Sequence, residues 1–293
     1  MASFYRRIFR PVWNQFLTKV PGKKSIGQFA RVAFDLMVPG RTIYPDVVVV
    51  MTTHCSLKCK NCNNLIPCYE EPYHIPAGEL IKDIDTLLSH TDTCLKIQLM
   101  GGEPFVYPYL PEVLDYLKGH PKIMSVGITT NGTIIPKAEV LEKIAALPCK
   151  NIAISDYGLS QQKIKELCRT LKKYGISYHR SYARTWADPG GVECRNKSLK
   201  QLSKEYNSCF SSRYCRTMLN GKLFLCARSA SLFDLGYMES SHDAFDIRLK
   251  RTDGEFRREL RNFFLKDYAE ACNYCDHYLK KKIKAGEQKQ EYS

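Results

Sequence analysis

Three cysteines in one short segment constrain this chain more than any other feature of its sequence. Cys55, Cys59 and Cys62 stand in a CxxxCxxC arrangement directly after the apolar run Val47–Met51. Three thiolates in one loop can hold three corners of a [4Fe–4S] cubane and leave the fourth iron open to a small ligand. Zinc is the alternative, but it normally takes four ligands, and His54 adjoins Cys55 too closely to converge easily on the same ion. The spacing therefore favours an iron–sulfur cluster.

Strand and helix patterns alternate between residues 46 and 190. Continuous apolar runs bounded by Pro, Gly or polar residues predict buried parallel strands, and helical periodicity lies between them. The predicted strands are Val47–Met51, Lys96–Met100, Ser125–Thr130, Asn151–Ser155 and Ile176–Arg180. Repeated βα units of this kind predict an α/β fold with a parallel sheet. Because only five or six strands are visible, an incomplete (β/α)6 TIM-type barrel fits better than a closed barrel of eight units.

The rest of the chain divides into three parts. Residues 1–45 are basic and partly amphipathic, which predicts a leader that packs on the main domain or on a partner. Residues 191–278 break the alternation and contain a predicted hairpin, Arg216–Cys226, with Asn220-Gly221 at its turn. Residues 279–293 are rich in Lys and Gln, and this composition predicts a disordered tail.

Further motifs follow the later strands of the predicted barrel. Gly101-Gly102-Glu103-Pro104 follows the second strand, where glycine allows close backbone approach and a carboxylate can accept from a cationic amine. Thr130 and Asn131 end the third strand, and Ser155 ends the fourth. The carboxyl edge of a parallel sheet carries the site in barrels and doubly wound folds. A plain turn at Asn131-Gly132 and a helix cap at Ser155 are the alternatives.

This combination of motifs resembles the radical SAM (S-adenosylmethionine) superfamily. The resemblance implies that Cys55, Cys59 and Cys62 bind a [4Fe–4S] cluster whose open iron chelates SAM. It also implies SAM contacts for a set of residues near the strand ends: Asn61, Gly101, Gly102, Glu103, Pro104, Thr130, Asn131 and Ser155. The residue before the third cysteine is usually aromatic and lies near the adenine. Asn61 departs from that pattern, so this stacking contact stays open.

Five more cysteines crowd the C-terminal third of the chain. Gly221–Cys226 is similar to the GX4C element of SPASM and twitch extensions in the same superfamily, which hold an auxiliary [4Fe–4S] cluster. The four ligands that the resemblance implies are Cys209, Cys226, Cys272 and Cys275. Cys215 competes with Cys209 as a ligand, and it is also the candidate catalytic hydrogen donor or a free thiol. A small zinc knuckle is the alternative for this cluster.

Composition narrows the compartment and the partners. The chain carries 13 cysteines and a net charge of +14, with no secretory signal and no apolar run long enough to span a bilayer. Reduced thiols or metal ligands in the cytoplasm are therefore expected rather than disulfides. The basic leader leaves a membrane-surface contact open. The resemblance implies a reducing partner such as flavodoxin or ferredoxin, and no nucleic acid.

The expected activity is reductive cleavage of SAM and abstraction of hydrogen from a substrate. The segment 55–72, together with Ser155–Gly158 and the hairpin region Cys209–Cys226, is similar to radical SAM proteins linked to bacterial polysaccharide and glycosyl-transfer pathways. The predicted substrate is therefore a small molecule of sugar type or a glycan, which undergoes oxidation or epimerisation. A peptide-modifying maturase is the alternative. A zinc-stabilised nucleic-acid-binding protein is the alternative of another class.

Overall fold

The structure, a computed structural model, describes residues 12, 13, 16, 26–38, 40–211, 215–239 and 241–289. Its helices are α1 (Ile26–Met37), α2 (Ala77–Ser89), α3 (Leu110–Leu117), α4 (Ala138–Ala145), α5 (Gln161–Lys173), α6 (Leu199–Ser208), α7 (Ala227–Asp234) and α8 (Asp253–Phe264). Its strands are β1 (Ile43–Tyr44), β2 (Val47–Val50), β3 (Thr93–Cys94), β4 (Ile97–Met100), β5 (Val126–Thr130), β6 (Lys150–Asp156), β7 (Tyr178–Tyr182), β8 (Thr185–Ala187), β9 (Arg216–Leu219), β10 (Lys222–Phe224), β11 (Ala244–Asp246) and β12 (Lys282–Lys284).

An eight-stranded sheet in the order β11-β10-β9-β2-β4-β5-β6-β7 forms the centre of the fold. The six strands from β9 to β7 in that order pair parallel, and β10 and β11 extend the sheet with antiparallel pairs. The helices α2, α3, α4 and α5 connect successive parallel strands, as βα repeats require. The incomplete α/β barrel predicted from the sequence is confirmed, with the five predicted strands in their predicted order.

The core lies between this sheet and its connecting helices. All four residues of β2 are buried, which suits β-branched side chains in a strand covered on both faces. Each helix buries one apolar stripe against the sheet, for example Leu80, Ile84 and Leu87 of α2. These residues belong to one continuous apolar cluster that reaches from β2 to α8. Packing of this kind leaves the carboxyl ends of the strands free to carry polar loops.

The hairpin of the C-terminal region joins the barrel sheet directly. Its first strand, β9, pairs parallel with β2, with Val47 opposite Arg216 and Val49 opposite Met218. β2, the first strand of the barrel, therefore lies in the interior of the sheet. At an edge of the sheet, a row of its backbone donors and acceptors would lack partners. The region 191–278 shares its backbone hydrogen bonding with the region 46–190.

The described part of the C-terminal tail is ordered, contrary to the disorder expected for residues 279–293. Strand β12 pairs antiparallel with β8, with Ile283 opposite Trp186. Ala285, just beyond this strand, is buried. A composition rich in Lys and Gln argues against a packed core, but it does not reveal a strand partner about a hundred residues earlier. Residues 290–293 lie outside the described residues.

The described part of the predicted leader packs on the barrel. Val32 of α1 is buried in a small apolar cluster with Ile43, Leu95 and Met124. Arg31 adds hydrogen bonds from its guanidinium to Thr93 Oγ1 at 2.8 Å and to the carbonyl oxygens of residues 92 and 121. Most of residues 1–25 lie outside the described residues. No helix in the described part of the chain has both the length and the apolar character needed to cross a membrane.

Candidate active site

The three-cysteine loop begins where β2 ends and is held by a rigid base. The Thr52 hydroxyl shares a 2.8 Å hydrogen bond with His74 Nδ1 and accepts a hydrogen bond from the His54 backbone N–H at 3.0 Å. The rings of His54 and His74 stack with centroids 4.3 Å apart. These contacts place the start of the cysteine loop against the segment that precedes α2. The histidines therefore serve here as supports for the loop.

Each of the three sulfurs accepts hydrogen bonds from nearby N–H groups. Cys55 Sγ accepts from the Leu57 backbone at 3.4 Å and from Asn131 Nδ2 at 3.7 Å. Cys59 Sγ accepts from Gln288 Nε2 at 3.4 Å. Backbone N–H groups of residues 64 and 66 act on Cys62 in the same way. N–H donors aimed at sulfur are what cluster-bound thiolates require, because they stabilise negative charge on sulfur.

The thiols of this loop are unfavourable as free thiolates. Burial raises the pKa of Cys55 to about 12, and the negative charges of Glu103, Cys62 and Cys59 add to that rise. Burial likewise raises the pKa values of Cys59 and Cys62. Deprotonation of all three therefore needs a compensating positive charge, which ligation of iron supplies. The donor set fits an iron–sulfur cluster.

The glycine pair after β4 lies directly against the cysteine loop. Gly102 N–H donates to Thr52 O at 2.8 Å, and Glu103 N–H donates to His54 O at 2.9 Å. A Cβ at Gly102 would lie 2.0 Å from His54 O and 3.0 Å from Cys55 Cβ. A Cβ at Gly101 would lie 2.4 Å from Thr52 O. Only glycine permits this approach, so the two predicted motifs form one unit.

Glu103 is fully buried and joins that unit to the end of β5. Its carboxylate accepts from Thr130 Oγ1 at 2.7 Å, from Asn131 N–H at 2.8 Å and from Phe105 N–H at 3.3 Å. Burial raises the pKa of Glu103 to about 7, although these three hydrogen bonds act to lower it. The predicted contact between Glu103 and the amine of SAM stays a prediction, since the carboxylate is engaged with the protein.

A cavity of about 430 Å³ opens beside the cysteine loop, within the size range of small-ligand sites. The predicted residues that line it are Cys55, Cys59, Asn61, Cys62, Gly101, Gly102, Asn131 and Ser155. Glu103, Pro104 and Thr130 are not among the lining residues. The sequence therefore located most of one site, because loops that follow neighbouring parallel strands meet at one edge of the sheet.

The cavity is also lined by residues that the sequence did not single out as ligands: Leu57, Asn63, Asn64, Ile66, Met100, Thr129, Tyr157, Trp186, Ala187, Pro189 and His277. The last five come from other elements than the cysteine loop and the glycine pair, and they are called here the opposite wall. Tyr157 and Trp186 meet edge to face with ring centroids 5.1 Å apart. Thr129 and Tyr157 adjoin the strand-end residues Thr130, Asn131 and Ser155, which the sequence already places at this edge. Nothing local indicates His277, which reaches the cavity only through the packing of the C-terminal region.

An ion pair between a buried carboxylate and a partly exposed arginine fixes the end of β6 beside this wall. Asp156 is fully buried and accepts from Arg180 Nε at 2.8 Å, from Gln161 Nε2 at 2.8 Å and from Gly158 N–H at 2.8 Å. Burial acts to raise the pKa of Asp156, but the hydrogen bond from Gly158 and the Arg180 guanidinium outweigh it and hold the pKa below its usual value. The network orients the neighbouring Ser155 and Tyr157, which line the cavity.

Four of the five C-terminal thiols interact electrostatically. The charges of Cys226, Cys275 and Cys209 add to the burial that raises the pKa of Cys272. Burial raises the pKa of Cys226 to about 12, with smaller contributions from Asp243, Cys275 and Cys209. The predicted set Cys209, Cys226, Cys272 and Cys275 therefore lies in one region of the structure, and its role as a set of cluster ligands stays a prediction. Cys215 stands beside residues 212–214, which lie outside the described residues.

One buried carboxylate connects the elements that carry these thiols. Asp243 accepts from Ser229 Oγ at 3.0 Å and from the N–H groups of Glu270 at 2.7 Å and Ala271 at 2.9 Å. Ser229 N–H in turn donates to Cys226 Sγ at 3.4 Å, and the turn 270–274 carries Cys272. Asp243 therefore holds the cysteine after the hairpin next to the later CxxC segment.

The fold and this site define a class of protein. The chain has an incomplete parallel α/β barrel whose carboxyl edge combines a three-thiol loop, a close glycine turn and a ligand-sized cavity. Such an arrangement is typical of barrel enzymes that bind their cofactors at that edge. Residues 49–190 match the sequence profile described as the radical SAM superfamily, and this part of the chain belongs to that superfamily. The superfamily implies SAM and a [4Fe–4S] cluster as cofactors.

Curated relatives are similar to part of this chain. A probable GTP 3′,8-cyclase of Methanococcus maripaludis is 30% identical over 39% of this chain and 37% of its own length. An Fe-coproporphyrin III synthase of Methanosarcina barkeri is 34% identical over 42% of this chain and 28% of its own length. The aligned region thus spans about a third of these relatives.

A solved structure is similar in fold over more of the chain. BtrN in complex with AdoMet and 2-DOIA superimposes with a TM-score of 0.51 and 16% identity, over 80% of this chain and 94% of that one. At this identity the likeness concerns the fold alone. It supports the incomplete barrel together with much of the region that follows it.

Proposed function

We propose that this protein is a radical SAM enzyme that abstracts hydrogen from an uncharged polar substrate, a sugar or a glycan, and so oxidises or epimerises it. When bound, SAM and the reduced cluster supply a 5′-deoxyadenosyl radical. Cys55, Cys59 and Cys62 hold the cluster. SAM is bound by five residues that line the cavity: Asn61, Gly101, Gly102, Asn131 and Ser155. Glu103 and Thr130 support these residues from outside the lining.

The observation that carries the substrate proposal is the character of the opposite wall. The lining residues of the described chain include no Asp, Glu, Lys or Arg side chain. They offer neutral donors and acceptors beside the Tyr157–Trp186 ring pair. Sugars need hydroxyl partners and an apolar surface for their C–H groups, and this wall offers both. The triphosphate of a nucleotide such as GTP would call for cationic side chains at the site.

The auxiliary cluster is a second part of the proposal. Cys209, Cys226, Cys272 and Cys275 hold it, since their charges act on one another and Asp243 connects the segments that carry them. When bound, such a cluster would supply an acceptor for one substrate electron, which would make the net reaction an oxidation. Cys215 remains a candidate for a different outcome, in which a thiol returns hydrogen to the opposite face of the substrate carbon.

Iron analysis tests the cofactor part. Anaerobically purified protein should contain about eight irons per chain and cleave SAM to 5′-deoxyadenosine under reduction. Replacing Cys272 and Cys275 together by Ala should lower the iron to about four, while the EPR signal that responds to SAM remains. A colourless protein that binds zinc instead would contradict the proposal.

Replacement of Cys215 by Ser separates its three candidate roles. Loss of iron identifies a cluster ligand. Full iron with loss of epimerisation, together with loss of solvent deuterium at the inverted carbon, identifies the hydrogen donor. Full iron and unchanged turnover identify a free thiol.

Substrate screening tests the central claim. Uncharged sugars and glycans should raise the yield of 5′-deoxyadenosine and, when deuterated at the reacting C–H position, transfer deuterium to it, whereas GTP and unmodified peptides should not. Trp186→Ala should lower substrate turnover by at least tenfold and leave SAM cleavage without substrate unchanged. Leu249→Ala, at an exposed position outside the cavity lining, serves as the matched control. Turnover of GTP or of a peptide in place of sugars would overturn the substrate class.

A further inference from the structure

The C-terminal segment Lys281–Lys289 runs from the cavity wall to the cysteine loop. Asp188 N–H donates to Lys281 O at 2.7 Å, and β12 then pairs with β8, whose Trp186 and Ala187 line the cavity. Ala285 N–H donates to Arg184 O at 3.0 Å. The first half of the segment is therefore fixed to the wall that faces the cysteines.

The second half of the segment pairs with the cysteine loop itself. Lys60 N–H donates to Glu287 O at 2.7 Å, and Lys289 N–H donates to Lys58 O at 2.8 Å. These bonds form an antiparallel bridge in which Cys59 stands opposite Gln288. Cys59 is only 8% exposed as a result of this cover and its own loop. A segment far along the chain thus encloses the central cysteine of the motif.

The turn between the two halves depends on Gly286. Its φ is +65°, and a Cβ there would lie 2.6 Å from Tyr157 Cβ. A left-handed glycine therefore lets the chain pass close beneath the Tyr157 ring and reach the cysteine loop. This close approach links the cover over Cys59 to a residue that lines the cavity.

The Gln288 amide is fixed at both of its ends. Its Oε1 accepts from Lys58 N–H at 2.8 Å. Its Nε2 uses one hydrogen for Gly286 O at 2.6 Å and the other for Cys59 Sγ at 3.4 Å. Since Oε1 can only accept and Nε2 can only donate, this set of partners requires one orientation of the amide. The donor is therefore aimed at the sulfur by the backbone on either side.

We propose that Gln288 is a positioning residue for the SAM-binding cluster, which holds Cys59 in place and raises the cluster's reduction potential through its hydrogen bond to Cys59 Sγ. A donor to a ligating sulfur stabilises the additional negative charge of the reduced cluster, and cover from solvent adds a second influence on the potential. The proposal rests on the three-cysteine cluster of the proposed function and is independent of the substrate.

An EPR-monitored redox titration of the anaerobic holoenzyme tests this inference. The signal that changes on addition of SAM reports the cluster of Cys55, Cys59 and Cys62 and separates it from the auxiliary cluster. Gln288→Met retains length but removes donor and acceptor, and it should shift the midpoint potential to a more negative value. Gln288→Glu retains the acceptor for Lys58 N–H but replaces the donor with negative charge, so its shift should be larger. Lys289→Arg changes the side chain that bonds Pro67 O but keeps its positive charge and the Gln288 hydrogen bonds, so it should leave the potential unchanged.

The outcomes of this titration are distinct. Midpoint potentials that become more negative in the order parent, Gln288→Met, Gln288→Glu, with Lys289→Arg at the parent value, support the positioning role. Loss of the SAM-responsive cluster from both Gln288 variants, with the auxiliary cluster and the circular dichroism retained, supports it as well. Full iron with parent potential in either Gln288 variant overturns it. Absence of a SAM-responsive signal in the parent protein would instead refute the proposed function.

Discussion

Replacement of Gly102 by Ala should damage the protein far more than the same change elsewhere. The added Cβ would lie 2.0 Å from His54 O and 2.5 Å from His54 C, and these atoms belong to backbone that cannot rotate away as a side chain can. Real Cβ contacts essentially never fall under 3.0 Å, so the two loops must separate by about 1 Å. That separation strains or breaks the hydrogen bonds from Gly102 and Glu103 to Thr52 and His54.

The size of the effect follows from the overpacking and from the two weakened hydrogen bonds. Overpacking against rigid surroundings costs about 1–3 kcal/mol. Each weakened buried hydrogen bond adds about 1 kcal/mol. The expected loss of unfolding free energy is about 3–5 kcal/mol, which corresponds to a fall in Tm of roughly 5–8 °C for a chain of this size. Iron content should fall as well, because the Cys55 Cβ lies within 3.0 Å of the new methyl group.

Gly78→Ala provides the matched control. Gly78 lies in the first turn of α2, and a Cβ there would meet nothing within 4 Å. Since Ala favours a helix over Gly by roughly 1 kcal/mol, this variant should be neutral or slightly more stable. Anaerobic thermal unfolding and iron per chain measure both effects. Equal Tm and full iron in the two variants would refute the claim that the glycine turn and the cysteine loop form one unit.

Three further outcomes follow from the buried carboxylates. Because the folded-state pKa of Glu103 is about 7, above its usual value of 4.5, the folded chain keeps a proton that the unfolded chain releases, and its stability falls as pH rises between these values. In cluster-free protein, the free energy of unfolding should fall by about 3 kcal/mol between pH 4.5 and 8, and Glu103→Gln should remove this fall. Denaturant unfolding measures it, and parallel pH profiles for the two proteins would contradict the prediction. Arg180→Ala should lower the free energy of unfolding by about 2–3 kcal/mol at pH 7, because it leaves the Asp156 carboxylate with fewer partners. Since the pKa of Asp156 is lowered in the folded chain, this loss should shrink below about pH 4, and a loss that is independent of pH would count against the prediction. Asp243→Asn should lower the free energy of unfolding by about 1–3 kcal/mol, because the Asn amide cannot accept from all three donors. It should also lower the iron content from about eight to about four atoms per chain, and full iron would disprove the role of Asp243 between Cys226 and Cys272.

Local sequence predicted the elements of the barrel well. The Val47–Val50 run is β-branched, continuous and bounded by polar residues, so it predicts a buried strand without knowledge of its neighbours. The strand ends at Gly101-Gly102 and Asn131-Gly132 are also visible locally, since glycine marks the turns. The placement of those loops along one edge then follows from the parallel topology.

Contacts between distant segments were not predictable in the same way. The sequence of β9 indicates only a local hairpin with β10, yet in the structure the other edge of β9 pairs with β2. The disorder predicted for the tail was wrong for residues 279–289, because backbone pairing with β8 and with the cysteine loop depends on neither charge nor hydropathy. Glu103 carries a recognisable motif, but its burial and its bonds to Thr130 and Asn131 depend on the loop after β5.

The CxxxCxxC spacing, the glycine pair and the alternation of strands and helices are properties of short segments, and they determined the family and the barrel by themselves. The tertiary structure alone decided what faces the cysteines. It brought Trp186, His277 and Gln288 to the loop of Cys55, Cys59 and Cys62 from positions far along the chain. The physical reason is that spacing specifies which atoms one loop can present, whereas the opposite wall of a cavity is set by packing and backbone pairing between segments that carry no mutual signal in sequence.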